Sequence, residues 1–480
     1  MELTKTDFVH FLQCPKSFWL SKHEPDDYPY GEFSAFHQKL VREGYEVEAV
    51  AQRFFEQEPE RDIDFQATFK TPEGLTARAD AVEIDEAGAV TLYEIKSSTS
   101  VKTDPKHNHL KDACFQKICA ERSGQRIDRV VIIHLNGDYV RSGEINPSEL
   151  LVFSDVTDRL TALVAETEEE IAAALEMMSR QEIDRDGCSC RRNTRANHCD
   201  SFEVFNPDIP EPSVYYLPRL SKAKITELAD DGIYGLRDLP RDFRLSDGQL
   251  PVAMAALDDE PQINPDGIRA FLERLEFPLY FFDYETFATA IPEIDGTKPH
   301  GHIPVQYSLH VLEEDGGLTH RECLLRSAAL PHDLFKQLRE DIGDRGSLIS
   351  WHAPFEKTRN REMAELFPEY AEFLTALNDR MVDLEDLFKR DYVDIRFKGS
   401  TSIKKVLPVI CPELSYANEN VQDGASAMEA WERLVNASAD ETEEIANDLL
   451  SYCKLDTLAM VEIYRFLQAF VAEVQERSPA

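Results

Sequence analysis

Basic residues are scarce in this chain of 480 residues. Lysine and arginine total 52 against 90 aspartates and glutamates, so the formal net charge at pH 7 is −38. A surface this acidic argues against nonspecific coating of a polyanion. It leaves room for a local site that contacts polyanions, because divalent metal ions held by carboxylates reverse the local field.

Long hydrophobic runs are also missing. No stretch of about 18 apolar residues is present, and residues 1–13 lack the charged-then-apolar layout of a secretory signal. We therefore expect a soluble, cytoplasmic protein without a membrane partner. Nine cysteines, an odd number without such a signal, fit a reducing compartment better than a disulfide framework. Some of them should then be core residues and others ligands.

The patterning predicts an α/β protein in three parts. Residues 1–204 carry helical and strand patterns and end in a Cys-rich tail, after which a proline-punctuated linker begins. Residues 205–276 carry short helical patterns, and an apolar strand opens a second α/β block over 277–480. The chain is long enough for each α/β block to bury its own apolar core.

Two acids end the strand that opens the third part. Residues 277–282 are nearly all apolar, as expected for a strand buried on both faces, and Asp283 and Glu285 follow. The two-residue period of a strand puts both carboxylates on one side, where they can chelate a hard divalent cation. The alternative is a strand that ends in Asp because the following turn favours it.

Three further residues complete this pattern. Residues 347–352 have the pattern of a strand, and Glu356 lies where a helix begins after it. Residues 449–456 are helical, and their i, i+4 spacing places Tyr452 and Asp456 on one face. Taken singly, each acid could be a helix cap or a surface ion pair, and Tyr452 could be a half-buried core residue.

The order of these elements resembles the tyrosine subclass of the DEDD exonucleases, which have a ribonuclease-H-like fold. The resemblance implies two Mg²⁺ or Mn²⁺ ions held by four acids, Asp283, Glu285, Glu356 and Asp456. It also implies that Tyr452 orients or deprotonates the attacking water. This chain departs from the family at Glu356, where the family has Asp, so a longer side chain displaces the carboxylate at the second metal.

The first part contains a strand hairpin with charged residues at one end. Residues 75–84 and 90–96 alternate as two paired strands. Glu94 and Lys96 share a face, and Asp80 can approach them from the paired strand. The alternative for these three residues is cross-strand charge pairing on an exposed sheet.

These three residues resemble the core of the PD-(D/E)XK nucleases, with Asp80 and Glu94 as metal ligands and Lys96 as the lysine. The RecB-like branch of that family has a metal-binding His on an upstream helix, where this chain has Glu48, whose carboxylate can also bind Mg²⁺. The same branch completes its site with a helical Gln, which Gln116 matches. A solvent-facing helix residue is the alternative for Gln116.

Four cysteines bracket the first part: Cys14, Cys188, Cys190 and Cys199. In RecB-like CRISPR-associated exonucleases and AddB-type helicase–nucleases, one early and three late cysteines hold a 4Fe–4S cluster, and the resemblance implies that cofactor here. The Cys-x-Cys-x8-Cys spacing departs from the usual tail. A Cys₄ zinc site is the alternative, with His198 as a substitute ligand. The other cysteines are expected in the core, namely Cys114, Cys119, Cys323, Cys411 and Cys453.

The middle part has a weaker pattern. Residues 220–239 resemble a helix-hairpin-helix, whose glycine turn offers backbone amides to phosphates, and a helical spacer is the alternative.

The whole chain resembles an uncharacterised bacterial family that joins a RecB-like nuclease domain to a DEDD-type exonuclease-like domain. The resemblance implies a metal-dependent nuclease that hydrolyses phosphodiester bonds of DNA or RNA. Single strands or ends would be the partners of an exonuclease in repair or defence. The alternative is a nucleic-acid-binding or scaffold protein in which one or both sites are degenerate.

Overall fold

A computed structural model describes residues 1–29, 35–416 and 419–477. The chain packs as two compact units. Unit 1 comprises Met1–Asp208, Lys222–Ala229 and Thr289–Gly301, and unit 2 comprises Ile209–Ser221, Asp230–Ala288 and His302–Ala480. The segment 205–276, predicted as a separate middle part, is therefore shared between the two units. Each unit combines helices with mixed β-sheet, which confirms the α/β class.

In its described residues, unit 1 contains two sheets and nine α-helices, the last of which ends one residue outside the unit. Its strands are β1 (Leu3–Thr4), β2 (Asp62–Phe65), β3 (Thr68–Lys70), β4 (Leu75–Arg78), β5 (Ala81–Ile84), β6 (Val90–Ile95), β7 (Arg129–Leu135) and β8 (Leu151–Asp155). Its helices are α1 (Lys5–Gln13), α2 (Pro15–His23), α3 (Ala35–Glu56), α4 (His109–Arg122), α5 (Pro147–Leu150), α6 (Thr157–Thr161), α7 (Val164–Ser179), α8 (Phe202–Phe205) and α9 (Lys222–Asp230).

The larger sheet of unit 1 has the strand order β2-β5-β6-β7-β8, and only β6 and β7 run parallel among its pairs. Parallel strands need a crossover connection, which α4 supplies between β6 and β7. Eleven residues of α4 are buried, including Asp112 and Gln116. Because these two are four residues apart, they lie on one face of the helix.

The first strand of the predicted hairpin is interrupted at Ala79 and Asp80. The amide of Ala79 donates to Ala67 O (2.9 Å), and Asp80 O accepts from the amide of Gln66 (3.0 Å). These backbone bonds divert the chain, so β4 joins the small sheet β1-β4-β3 while β5 joins the large one. The prediction of one continuous strand over 75–84 is therefore wrong, and Asp80 lies at the corner between two strands.

Unit 2 contains the second large sheet. Its strands are β9 (Gln262–Ile263), β10 (Leu279–Phe287), β11 (Ile303–Leu312), β12 (Leu318–Leu324), β13 (Ser347–Ser350), β14 (Met381–Asp383) and β15 (Tyr392–Val393). Its helices are α10 (Leu250–Asp258), α11 (Pro265–Leu272), α12 (His332–Asp341), α13 (Pro354–Leu366), α14 (Ala371–Arg380), α15 (Glu385–Arg390), α16 (Ile403–Ile410), α17 (Gly424–Asn436) and α18 (Ala439–Arg477).

The large sheet of unit 2 has the order β12-β11-β10-β13-β14. The pairs among β10, β11 and β12 are antiparallel, whereas β13 pairs parallel with both β10 and β14. Strand β10 is central, and eight of its nine residues are buried, Asp283 being half-buried. This burial on both faces confirms the reading of the apolar run as an interior strand.

The middle segment forms α9, a turn at Gly232 and then one 3₁₀ turn at Leu236–Asp238. The second α-helix expected immediately after the glycine is absent from these described residues, so the backbone differs from the predicted helix-hairpin-helix. None of the helices within the described ranges is both long and apolar enough to span a membrane.

Candidate metal centres

A cavity of about 430 Å³ in unit 2 brings together the acids and the tyrosine predicted for the third part. Its lining includes Asp283, Glu285, Glu356, Tyr452 and Asp456. They come from three elements: the central strand β10, the first turn of α13, and α18. Residues separated by more than 170 positions in the chain thus meet in one cavity because β10, α13 and α18 border the same space.

Burial makes this cavity costly for negative charge. Glu285, Glu356 and Asp456 are exposed by only 9%, 2% and 8%. Burial raises the pKa of Glu356 to about 8 and that of Asp456 to about 6. Burial, reinforced by the charge of Asp456, also raises the pKa values of Asp283 and Glu285 well above their usual range. Closely spaced buried carboxylates favour either protonation or a bound cation.

Two observations identify possible metal-binding atoms at this site. One oxygen each of Asp283 and Glu285 and the sulfur of Cys453 all lie within 4.8 Å of one another. Oε2 of Glu356 is buried and has no hydrogen-bond partner among the described groups. A buried carboxylate oxygen is rarely left without a partner, so this atom fits a ligand position.

Cys453 and Tyr416 belong to this site although the sequence did not point to them. Cys453 was expected to be a core residue, and it is buried, but its Sγ lies 3.8 Å from Oδ2 of Asp283. The Tyr416 hydroxyl donates to Oδ1 of Asp456 at 2.6 Å. Cys453 directly follows Tyr452, a predicted site residue, and this adjacency is a sequence signal for it. Tyr416 lies in a loop and offers no comparable sequence signal.

A second group of polar side chains in unit 2 consists of His352, Asp383 and Glu385, whose ligand-type atoms lie within 4.8 Å of one another. Nδ1 of His352 is 3.1 Å from Oε2 of Glu385, and His352 also lines the cavity. The ammonium of Lys389 already lies 2.7 Å from the same Glu385 oxygen, which opposes binding of a cation there. Asp383 and Glu385 repeat the Asp-x-Glu spacing of β10, and residues 382–384 also match an intervening element of the DEDD resemblance, although neither acid was predicted as a site residue.

Unit 1 brings Asp80, Glu94, Lys96 and Gln116 together, as the sequence predicted. Oδ2 of Asp80 accepts a hydrogen bond from the amide of Ile95 (2.7 Å), which holds it beside Glu94. Nζ of Lys96 donates to Oε1 of Glu94 (2.6 Å), and Nε2 of Gln116 donates to its other oxygen (2.5 Å). The alternative of a solvent-facing Gln116 is wrong, because this side chain is fully buried.

Two residues that were not predicted complete this network. Lys5 donates to both oxygens of Glu94 at 2.9 and 3.2 Å. Asp112 accepts from Lys96, and from Gln116 at 3.1 Å. The ammonium groups of Lys5 and Lys96 therefore both contact one buried glutamate, Glu94. Lys5 follows a two-residue strand at the start of the chain, where no pattern marks it as a site residue.

The surroundings of Asp80 and Glu94 shift the pKa values of these two acids in opposite directions. Burial opposes ionisation of Glu94, but Lys5 and Lys96 outweigh it and lower the pKa of Glu94. Burial and the charge of Glu94 raise the pKa of Asp80 to about 8. Asp80 therefore favours binding of a proton or a cation, whereas Glu94 remains ionised.

Glu48 lies near this network without a direct bond to it. Its Oε2 accepts from Nε2 of Gln66 at 3.2 Å. The pKa of Glu48 is raised, mainly by burial. The charge of Lys5 opposes this rise and the charge of Glu94 adds to it, so the Glu48 carboxylate faces both groups. Among the described residues, the predicted unit 1 acids do not form a set of three ligand atoms within 4.8 Å, in contrast to the acids of unit 2.

Four cysteines from the two ends of unit 1 form a compact sulfur cluster. The sulfurs of Cys14, Cys188, Cys190 and Cys199 all lie within 4.8 Å of one another. Cys14 ends α1 and precedes α2, and Nδ2 of Asn206 donates to the sulfur of Cys188 at 3.3 Å. His198 stacks on Phe202 at 3.5 Å and is not a member of the cluster, which leaves a set of sulfur donors only.

Comparison with known proteins identifies relatives without a described activity. Residues 280–402 match a domain of unknown function, DUF2779. The chain is 30% identical over 213 residues to the uncharacterized protein MG366 of Mycoplasma genitalium, a match that covers 40% of this chain and 32% of that protein. It is 27% identical over 229 residues to the uncharacterized protein UU173 of Ureaplasma parvum, covering 43% and 33%. The chain thus spans about a third of the length of these relatives. The matched domain contains Asp283, Glu285 and Glu356 and ends before α16.

Proposed function

We propose that this chain is a metal-dependent nuclease that hydrolyses phosphodiester bonds of DNA or RNA. The observation that carries the proposal is the convergence of four acids and Tyr452 on one cavity of unit 2. Their order and their elements agree with the resemblance to DEDD-type exonucleases of the ribonuclease-H-like fold. Unit 1 is proposed to be a RecB-like PD-(D/E)XK nuclease domain with the cysteine cluster.

The acids of unit 2 fit Mg²⁺ or Mn²⁺. Their oxygens are hard donors, and one of these, Oε2 of Glu356, has no hydrogen-bond partner among the described groups. Besides burial, the charges of Asp456 and Glu356 raise the pKa values of both Asp283 and Glu285. Asp283, Glu285, Glu356 and Asp456 would hold the metal. When bound, the ions supply charge stabilisation at the phosphodiester and a more acidic water.

The tyrosine is better suited to orient the attacking water than to deprotonate it. Burial and the charge of Asp456 raise the pKa of Tyr452 above its usual value, so the phenol keeps its proton at neutral pH. The Tyr452 hydroxyl is also a hydrogen-bond partner that lowers the pKa of Asp456. A neutral phenol can donate and accept at fixed positions, which orients a water molecule.

In unit 1, the fit to a divalent ion is supported by Asp80, whose raised pKa favours a cation. Lys96 and Lys5 each form an ion pair with Glu94. A PD-(D/E)XK site needs a lysine near its acids to offset the charge of the phosphate. The cysteine cluster offers thiol sulfur only, a donor set that fits a 4Fe–4S cluster or, as the alternative, Zn²⁺. Such a set of free thiols also fits a reducing compartment such as the cytoplasm.

The test is a panel of end-labelled single- and double-stranded DNA and RNA incubated with Mg²⁺ or Mn²⁺. Asp283→Ala disables unit 2, and Asp80→Ala disables unit 1. Exposed acids give the matched controls, Glu314→Ala in unit 2 and Glu86→Ala in unit 1. We expect cleavage by the wild type and both controls, with loss of one class of products in each site variant. Removing one carboxylate from such a site should reduce kcat at least about 100-fold.

The same experiment also has results that would refute the proposed nuclease function. If the metal-loaded wild type cuts no substrate, the proposed nuclease function is refuted. If Asp283→Ala and Asp80→Ala both cut like the wild type, the two proposed sites are refuted as the source of the cleavage. Binding of labelled strands without cleavage would favour the alternative, a nucleic-acid-binding or scaffold protein with degenerate sites. Glu356 and Glu48, which replace the family's Asp and His, are the residues on which that alternative rests.

A further inference from the structure

Lys404 lies in the carboxylate cavity of unit 2. It is the second residue of α16 and half-buried. Among the described residues that line the cavity, it is the one lysine or arginine, against four acids. Its charge lowers the pKa values of Glu285 and Asp456, which shows that the ammonium group faces the same space as these carboxylates.

The ammonium group of Lys404 contacts neutral partners. Its Nζ donates to the Tyr452 hydroxyl at 3.2 Å and to the backbone oxygen of Gln422. It also lies 5.5 Å from the ring centroid of Tyr416 and 5.1 Å from that of Tyr452. Two aromatic faces at these distances attract a cation without neutralising it.

No carboxylate of the described residues lies within the 4.0 Å ion-pair distance of Lys404 Nζ. The lysines of the unit 1 site behave differently, because Lys5 and Lys96 each form an ion pair with Glu94. Within the described part of the chain, the ammonium group of Lys404 therefore has no ion-pair partner in direct contact, and a half-buried cation in such a position can bind an anion. The anion that such a metal-binding cavity would accept is a phosphate group.

We propose that Lys404 binds a phosphate group of the substrate strand, held in position by Tyr416 and Tyr452. This inference rests on the proposed nuclease function and assigns Lys404 a direct contact with substrate. Lys404 would offset part of the negative charge of that phosphate within the cavity that the four acids line. Through its bond to the Tyr452 hydroxyl, the same lysine would connect phosphate binding to the orientation of that phenol.

The experiment measures binding of thymidine 5′-monophosphate and of thymidine to the Mg²⁺-loaded protein by calorimetry. Lys404→Met removes the charge and keeps the length of the side chain, and Lys404→Arg keeps the charge. Lys405→Met is the matched control, because Lys405 is the next residue and is exposed. We expect Lys404→Met to weaken monophosphate binding about 10- to 100-fold, as for loss of a charged hydrogen bond, and to leave thymidine binding unchanged. Lys404→Arg and Lys405→Met should stay within about threefold of the wild type.

Three results overturn the proposal: no monophosphate binding by the wild type, wild-type binding by Lys404→Met, or equal loss of monophosphate and thymidine. Lys404→Gln replaces the methionine variant if that variant has a lowered thermal midpoint. Strand cleavage that is unaffected by Lys404→Met refutes only the role of Lys404. Lysine-dependent monophosphate binding without any cleavage by the wild type refutes the nuclease and retains Lys404 as a phosphate ligand.

Discussion

Tyr416 donates a hydrogen bond of 2.6 Å to Asp456, so a phenol from a loop holds one of the four acids of the unit 2 cavity. Burial raises the pKa of Asp456 to about 6, and the bond from Tyr416 is the largest effect that opposes this rise. The ionised form of Asp456, which a metal ion needs, therefore depends on a residue outside the predicted set.

Replacing Tyr416 by phenylalanine should shift metal binding to higher pH. A hydrogen bond to a charged group is worth about 1.5–3 kcal/mol, which corresponds to roughly one to two pKa units for Asp456. We expect the midpoint of Mn²⁺ binding on the pH axis to rise by about one unit in Tyr416→Phe. Tyr392→Phe, a buried tyrosine whose hydroxyl has no hydrogen bond within the described structure, is the control. Superimposable profiles for Tyr416→Phe and wild type would contradict the role of this bond.

Replacing Glu94 by glutamine should destabilise unit 1. Glu94 is 1% exposed and pairs with Lys5 and Lys96, and removing one partner of a buried ion pair leaves uncompensated charge. We expect a loss on the order of 3 kcal/mol in the free energy of unfolding of the metal-free protein, measured by urea denaturation. Glu176→Gln removes an exposed i, i+4 partner of Arg180 and should change nothing measurable. Equal behaviour of both variants would show that the Glu94 network does not stabilise the fold.

The metal-free protein should lose stability as the pH rises from about 6.5 to 8. Burial raises the pKa values of Asp80 and Glu356 to about 8, so the folded state binds more protons than the unfolded state in this range. Each such carboxyl lowers the free energy of unfolding by up to about 1.4 kcal/mol per pH unit. Buried histidines, such as His310 with a pKa lowered to about 3, act in the opposite direction only below about pH 6.5, where unfolded histidine is charged.

The measurement is chemical denaturation at several pH values with and without Mg²⁺. Glu356→Gln should flatten the decrease above pH 6.5, because glutamine does not titrate. Mg²⁺ should raise the unfolding midpoint more at pH 8 than at pH 6, since ionised carboxylates bind it. A free energy of unfolding that rises with pH over this interval would refute the raised pKa values.

Loss of one clustered cysteine should abolish binding of the metal proposed for the cysteine cluster. We expect Cys190→Ser to lose its iron or zinc, since four sulfurs share that site, and to lower the thermal midpoint of unit 1. Cys114→Ala removes a buried cysteine outside the cluster and should keep full metal content. Metal analysis and visible absorption of the purified protein separate iron–sulfur from zinc. Absence of both iron and zinc from wild-type protein purified without oxygen would contradict the proposal that the four cysteines bind a metal.

The periodicity of the chain predicted the interior strand β10 and the helix that opens just before Glu356. Both predictions depend on local signals: an apolar run in the first case and a proline at the helix start in the second. The same reasoning failed at Ala79 and Asp80, because the hydrogen bonds that divert the chain come from Gln66 and Ala67, which alternation within the strand cannot reveal.

Local patterns, together with the resemblance to two nuclease families, selected Asp283, Glu285, Glu356, Tyr452 and Asp456 and the four cysteines, because residue type and order along the chain are visible in the sequence. Tertiary structure alone decided how these residues are charged and what surrounds them. Lys5 reaches Glu94 across 89 positions, and Lys404 reaches Tyr452 across 48. Burial, which sets the pKa values of the acids, is a property of the packed units. The candidate ligands could therefore be identified from the sequence, whereas the hydrogen bond from Tyr416 to Asp456 and that from Lys404 to Tyr452 became visible only in the fold.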